Sequence, residues 1–373
     1  MKKAEKIIKD LFTSAGVEFG GKNPWDIQVH NEEFYSRVLG QGSLGLGESY
    51  MDGWWDCEAL DQFFYKILRA ELDKKVKLLP SLFVSLKQFL VNMQSKTRSQ
   101  RVICRHYDLG NELYMSFLDP YNQYTCGYFE ETDELNKAQE KKMDLICKKL
   151  NLSPKDKVLD IGCGWGGFAR FAAENYGCRV TGITISEEQL KYARKFCEGL
   201  PVEIKFQDYR DLGENDEKFS CVVSIGMVEH VGGKNYRTFM EKVYSVLNND
   251  GVFLLHTIGV DNSKIVSDRW VNKYIFPNGR IPSIEEIGRS IKNIFVIEDW
   301  HNFGADYSKT LKAWYENFEK NWDQIKPNYD ERFYRMWKYY LLSYSGAFRA
   351  RKNQLWQIVL SKKGIVGGYR SIR

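Results

Sequence analysis

The stretch 157–167, KVLDIGCGWGG, restricts the fold more than any other. A short apolar run (Val158, Leu159, Ile161) carries one acid, Asp160, then breaks into glycines at 162, 164, 166 and 167. FARFAAENYG follows, with apolar residues at helical spacing and Gly177 placed to stop the helix. The pattern predicts a buried strand, a tight turn and a helix whose N-terminus faces a ligand. Such a turn needs positive φ and close backbone approach, which glycine supplies.

Spacing alone does not identify the ligand. Gly162, Gly164 and Gly167 match G-x-G-x-x-G, but so do Gly40, Gly42 and Gly45 in GQGSLG. The earlier copy has no buried strand ahead of it and reads as a turn. The later one opens a run of alternating elements: VKVLD, CRVTGITI, VEIKFQD, FSCVVSIGMV and GVFLLHTIG read as strands, with helical segments between them. IFVIEDWHNF and QLWQIVLSKK read as two more. Strands alternating with helices predict a mostly parallel sheet covered on both faces, with ligands outside the strands' carboxyl ends.

A dinucleotide enzyme would place an acid about 20 residues on, at the second strand end, for the ribose. That strand ends GITIS, without one. Asp160 in the turn, Thr184 and Gln189 near the second strand end, and Asp208-Tyr209 after the third fit S-adenosylmethionine methyltransferases better.

Charge is unevenly distributed. The net charge is only +5, yet 74–106 holds eight Lys or Arg and 332–373 holds ten, and neither stretch contains an acid. The rest of the chain is near −13, with 36 bases against 49 acids. Such segregation suggests an anionic partner, either phospholipid headgroups or nucleic acid, against the plainer reading of two solvated faces. No uncharged apolar run approaches the roughly 18 residues that span a bilayer. Eight cysteines without a paired framework, and an N-terminus unlike a secretory leader, predict a reduced cytoplasmic protein.

The expected organisation is a helical N-terminal accessory domain over 1–92, a linker over 93–108 and a catalytic domain over 109–373. GQGSLGLGESYMDGWWDC reads as a loop between helices, and 139–150 as an amphipathic helix leading into the first strand. The stretch 260–281, with Trp270 and Tyr274, reads as an insertion covering the substrate.

Taken together, SLGLGESYMDGWW, HYDLGNELY, YTCGYF, VLDIGCGWGG, GMVEHVG, LLHTIG, FPNGRIPS and GADY resemble the cyclopropane-fatty-acyl-phospholipid synthases, in order over about 40–360. The resemblance implies a Rossmann-like class I methyltransferase fold with a seven-stranded, mostly parallel sheet and a small helical N-terminal domain. It implies transfer of a methylene from S-adenosylmethionine across the cis double bond of a phospholipid acyl chain. The intermediate carbocation is then deprotonated by a bound bicarbonate. For the donor, it carries over Tyr124 and Thr125; Asp160, Ile161, Gly162, Cys163, Gly164, Gly166 and Gly167 of the turn; Thr184, Ile185 and Gln189; and Asp208 and Tyr209.

For bicarbonate it carries over Cys126, Glu229, His256, Ile258 through its backbone, and Tyr307. An imidazole, a phenol, a backbone N–H and a thiol can all donate to an anion; Glu229 cannot, and is expected to orient a donor. Singly, His256 reads as a core histidine, Cys126 as a small buried hydrophobe, Glu229 as a partner of the following helix and Tyr307 as a packed aromatic. Where some relatives have a cysteine before GAFRAR, this chain has Ser343-Tyr344-Ser345, which leaves no thiol chemistry there.

The resemblance further implies a homodimer that binds the inner membrane face reversibly. Five histidines without ligand spacing predict no metal site, and no recognition module points to nucleic acid. The alternatives are a small-molecule N-methyltransferase, which would need no bicarbonate site, and a lipid-binding protein that has lost catalysis.

Overall fold

The computed structural model describes residues 2–72, 110–213, 217–263 and 268–373. The chain falls into two compact units: Met1–Val91 with Ile265–Pro277 and Tyr307–Asn353, and Asn92–Lys264 with Asn278–Asp306 and Gln354–Arg373. The helical unit thus takes in two later stretches besides the expected 1–92. The expected linker and the basic block 74–106 lie outside the described residues.

The second unit is built on seven strands. They are β1 (Lys157–Ile161), β2 (Arg179–Thr184), β3 (Val202–Phe206), β4 (Phe219–Ile225), β5 (Leu247–Gly259), β6 (Val296–Asn302) and β7 (Gln354–Ser361). Their order is β3-β2-β1-β4-β5-β7-β6, and only β7 runs antiparallel to its neighbours. The helices are α1 (Asn111–Phe117), α2 (Leu135–Lys149), α3 (Gly167–Tyr176), α4 (Glu187–Phe196), α5 (Val228–Val231), α6 (Tyr236–Val246) and α7 (Ile284–Ile291).

Strand side chains alternate between faces, so each strand feeds two cores. Leu159, Val222, Phe253 and Leu255 pack with Phe239, Met240 and Val243 of α6 and Ile287 of α7. Val158, Val180, Val223, Leu254 and Val359 pack with Met143 and Ile146 of α2 and Phe168 and Ala172 of α3. On this second face the carboxyl ends turn polar. Two residues beyond Val158 comes Asp160, two beyond Leu254 comes His256, and two before Val359 on the antiparallel β7 comes Gln357. All three are buried. The amphipathic reading of α2 does not anticipate that its polar Gln139, Lys142 and Lys149 are also buried, beside the apolar Met143 and Ile146.

The first unit contains the helices Lys2–Thr13, Glu33–Gln41, Ser43–Met51, Leu60–Arg69 and Glu331–Arg349. The expected loop at GQGSLGLGESYM is therefore largely helix. Gly42, with φ of 60°, separates Glu33–Gln41 from Ser43–Met51. A Cβ on Gly45 would strike the Arg37 carbonyl, and one on Gly47 would strike the Trp270 ring. These two glycines permit close packing rather than a turn. Trp55, Phe34 and Phe63 are fully buried among other aromatic rings, as core rather than binding surface.

The second basic block is less available than its sequence suggests. Within the first unit, Arg332 pairs with Asp52, Arg335 with Asp56, Arg349 with Asp61 and Lys352 with Glu71. In the second unit, Arg373 pairs with Asp299. An acid-free run of sequence is answered by acids from distant sequence. No described helix is long and apolar enough to cross a membrane. The seven described cysteines are buried, and no disulfide joins them.

Candidate active site

The glycine turn does what its composition requires. Gly162 lies at φ of 81° and Gly166 at 84°, where it caps α3. A Cβ on Gly167 would overlap the Tyr121 carbonyl, so the segment before Tyr124 lies directly on the start of α3. Asp119 shapes that segment: its carboxylate accepts the N–H groups of Tyr121 at 2.9 Å and Gln123 at 2.8 Å. From α2, Gln139 Nε2 donates to the Thr125 carbonyl at 2.8 Å. One turn later, Lys142 Nζ donates to Gln123 Oε1 at 2.5 Å and Thr125 Oγ1 at 2.9 Å.

These parts enclose an open cleft of about 1070 Å³, mouth included. The glycine turn contributes residues 160–164, the end of β2 contributes Thr184, Ile185 and Gln189, and the end of β3 contributes Asp208 and Tyr209. Tyr124 and Thr125 close another side. Gly166 and Gly167 are not in the lining and serve the turn behind it. Ser186 caps α4 by accepting Gln189 N–H at 3.3 Å, and Thr184 Oγ1 bonds Gln189 Oε1 at 3.1 Å. The Asp208 carboxylate accepts Arg210 Nε at 2.8 Å and Nη2 at 2.7 Å.

Sequence reasoning missed Gln123, Arg210, Met227 and His230, which line the cleft together with Trp165 of the turn. Most of them flank residues it singled out. Burial lowers His230 to about 4, so its imidazole is neutral. Burial raises Asp160 to about 7, with Lys142 pulling the other way.

Of the residues assigned to bicarbonate, Glu229 and Ile258 meet directly. The Ile258 N–H donates to Glu229 Oε1 at 2.7 Å. In this structure the Ile258 amide is engaged by that buried carboxylate at the start of α5. Burial raises Glu229 to about 7, against the pull of the Ile258 N–H. Glu229 Oε2 has no hydrogen-bond partner among the described residues.

His256 is fully buried, with Gln357 Nε2 at 3.3 Å from its Nδ1, and its Nε2 likewise has no partner among the described residues. Burial, and then Lys142, hold it well below its ordinary value, hence neutral. Cys126 is buried, its thiol 3.2 Å from the Gly127 carbonyl. Tyr307 belongs to the first unit, where its ring packs on Phe348 at 4.5 Å between centroids.

Two buried orphan atoms, an imidazole nitrogen and a carboxyl oxygen, are the kind of pair that a small hydrogen-bonding anion satisfies. Bicarbonate can accept from one and donate its own proton to the other. The residues present fit that group.

The mycolic acid cyclopropane synthetase family model matches residues 94–358. The cyclopropane-fatty-acyl-phospholipid synthase of Escherichia coli strain K12 is 52% identical over 372 residues, covering 99% of this chain and 96% of that protein. Among solved structures, the mycolic acid cyclopropane synthase CmaA1 complexed with SAH and CTAB is 30% identical, with a TM-score of 0.66 over 70% of this chain and 98% of its own. Coclaurine N-methyltransferase reaches a TM-score of 0.70 over 85% of this chain and 99% of its own at 22% identity, a likeness of fold alone.

Proposed function

This chain belongs to the mycolic acid cyclopropane synthetase family and is an S-adenosylmethionine-dependent methyltransferase, and we propose that it builds cyclopropane rings on unsaturated phospholipid acyl chains. The observations that support this reading are the cleft lined by the glycine turn, Thr184, Gln189, Asp208 and Tyr209, and the unpartnered buried atoms Glu229 Oε2 and His256 Nε2.

S-adenosylmethionine, when bound, supplies the methyl group. The amino-acid part is assigned to the turn 160–164, the ribose to Gln189 and the adenine to Asp208 and Tyr209. Asp208 would exchange its Arg210 contact for the adenine amine. An alkene is a weak nucleophile, so holding the sulfonium in line and excluding water account for much of the rate. Tyr124, Trp165 and Met227 supply apolar cleft wall.

Methyl transfer leaves a carbocation on the acyl chain, which water would trap. Bicarbonate, when bound, supplies the base that removes a proton from the new methyl and lets the ring close. Cys126, His256 and Tyr307 are assigned to hold it. Glu229 orients Ile258 through its Oε1 and offers Oε2 to the anion's own proton. His256, kept neutral, can donate from Nε2 without adding a charge.

The lipid must reach the cleft from a bilayer. Because much of 332–373 is ion-paired, reversible docking to anionic lipid is assigned chiefly to the bases at 74–106, worth roughly 1 kcal/mol each near such a surface. Homodimerisation and placement at the inner membrane face complete the proposal.

The test is incubation with S-adenosylmethionine and unsaturated phospholipid vesicles, with and without bicarbonate, followed by mass spectrometry of the released fatty acids. A gain of one CH2 with loss of the alkene, stimulated by bicarbonate, is expected. Unchanged lipids with bound donor would transfer the reading to an amine methyltransferase.

A further inference from the structure

Lys142 has no part in the sequence-level reading, and its surroundings are unusual for a lysine. Its side chain is fully buried, and both of its hydrogen bonds go to uncharged groups, Gln123 Oε1 and Thr125 Oγ1. A lysine is rarely buried so completely without a carboxylate in contact. The acids that feel its charge are spent or distant: Asp119 accepts two backbone N–H groups, and Asp160 is coupled only through space. An ammonium has three donors, and the third has no partner among the described residues.

The same charge acts on Cys126 and on His256. Through Thr125, Lys142 also fixes the residue that joins Tyr124 to Cys126. One group therefore touches the donor's wall and biases two residues assigned to the anion.

We propose that Lys142 is a positioning residue for the bound anion, pinning the 123–126 segment and supplying the fixed positive charge that offsets bicarbonate among Cys126, Glu229 and His256. This rests on the bicarbonate reading above. A purely structural tie would also hold Thr125 in place, but it would not select for an anion. Burial lowers Lys142 to about 8, with Asp119, Cys126 and Asp160 opposing. The ammonium is then present at neutral pH and lost as pH rises through that value. Of the other groups involved, Asp119 and Cys126 oppose the loss of its charge, His256 stays neutral throughout, and Asp160 and Glu229, both near 7, are already charged by pH 8.

The test is calorimetric titration of sodium bicarbonate into the S-adenosylhomocysteine complexes of wild type, K142M and K142R. Wild type is expected to bind, K142M about tenfold or more weakly, and K142R within about threefold of wild type. Affinity for S-adenosylhomocysteine should change by less than about threefold in both variants. Wild-type bicarbonate affinity should fall as pH rises through about 8, while that of K142R stays level, bicarbonate remaining a monoanion over this range. K142M binding bicarbonate as wild type does would overturn the inference. If K142M fails to fold, a level wild-type pH profile overturns it instead. No bicarbonate binding by wild type removes the bicarbonate reading itself, and this inference with it.

Discussion

Helix α2 buries two lysines about two turns apart and treats them differently. Lys142, toward the cleft, bonds only to neutral oxygens. Lys149, at the other end, lies 3.0 Å from His301 Nδ1 and 3.8 Å from the Asp299 carboxylate. Arg373 grips the same carboxylate with both Nη atoms, at 2.6 and 2.8 Å, and Ser371 adds a third bond. Burial opposes charge on Asp299, but Arg373 and Ser371 outweigh it and hold the group below the usual carboxylate range. The Lys149 end is thus a closed ion cluster, while the Lys142 end keeps a lysine bonded only to neutral oxygens, on residues that line the cleft. Equal burial on one helix therefore does not imply equal purpose; the partners decide it.

The largest effect should come from opening the closed end. Asp299→Asn strands Lys149 and releases Arg373, and removing one partner of a buried pair costs about 3–5 kcal/mol. Thermal melting should fall by several degrees or more, with turnover per folded molecule unchanged. Lost turnover at an unaltered melting temperature would erase the contrast between the two ends.

Next, Glu229→Gln acts at the cleft. It should slow turnover by about a hundredfold or more, the scale of losing one preorganised polar group at a reacting centre. Binding of S-adenosylhomocysteine, followed by titration, should stay within about threefold. Unchanged turnover would refute the role given to Glu229.

The smallest effect separates the lysines by pH. Burial lowers Lys149 to about 7 despite Asp299. Its folded value lies below its unfolded one, so the unfolded chain holds more protons between the two, and stability rises with pH from about 7 toward 10. Lys149→Met should remove up to about 1 kcal/mol per pH unit of that rise, read from denaturant midpoints across the range. A slope equal to that of wild type would mean that Lys149 is not carrying it.

What was legible in the sequence was local. The run from Val158 to Gly167 encodes strand, turn and helix through neighbours a few residues apart, and the alternation of such units encodes the sheet. Three features needed tertiary partners and were not legible. Gly45 and Gly47 look like loop residues until Arg37 and Trp270 arrive against them. The bases at 332, 335 and 349 look like an open patch until Asp52, Asp56 and Asp61 answer them. Lys142 looks like one more solvated lysine on a helix, and only Gln123 and Thr125, brought against it from the preceding segment, show why it is inside. In the site, family motifs brought Glu229 and Ile258 forward together, but not that one would spend its hydrogen bond on the other.

The divided course of the chain through its helical unit also sets a timetable. The N-terminal stretch to Val91 shares that unit with Tyr307–Asn353, so the ribosome must add more than two hundred residues before the partners exist. At roughly 5–20 residues per second, that is about ten to forty seconds of waiting. During that interval the nascent Trp55, Phe63 and Phe64 lack the Glu331–Arg349 helix, whose Tyr339 packs on Phe64 at 5.2 Å. Those rings leave the ribosome well before the helix that packs on them has been made.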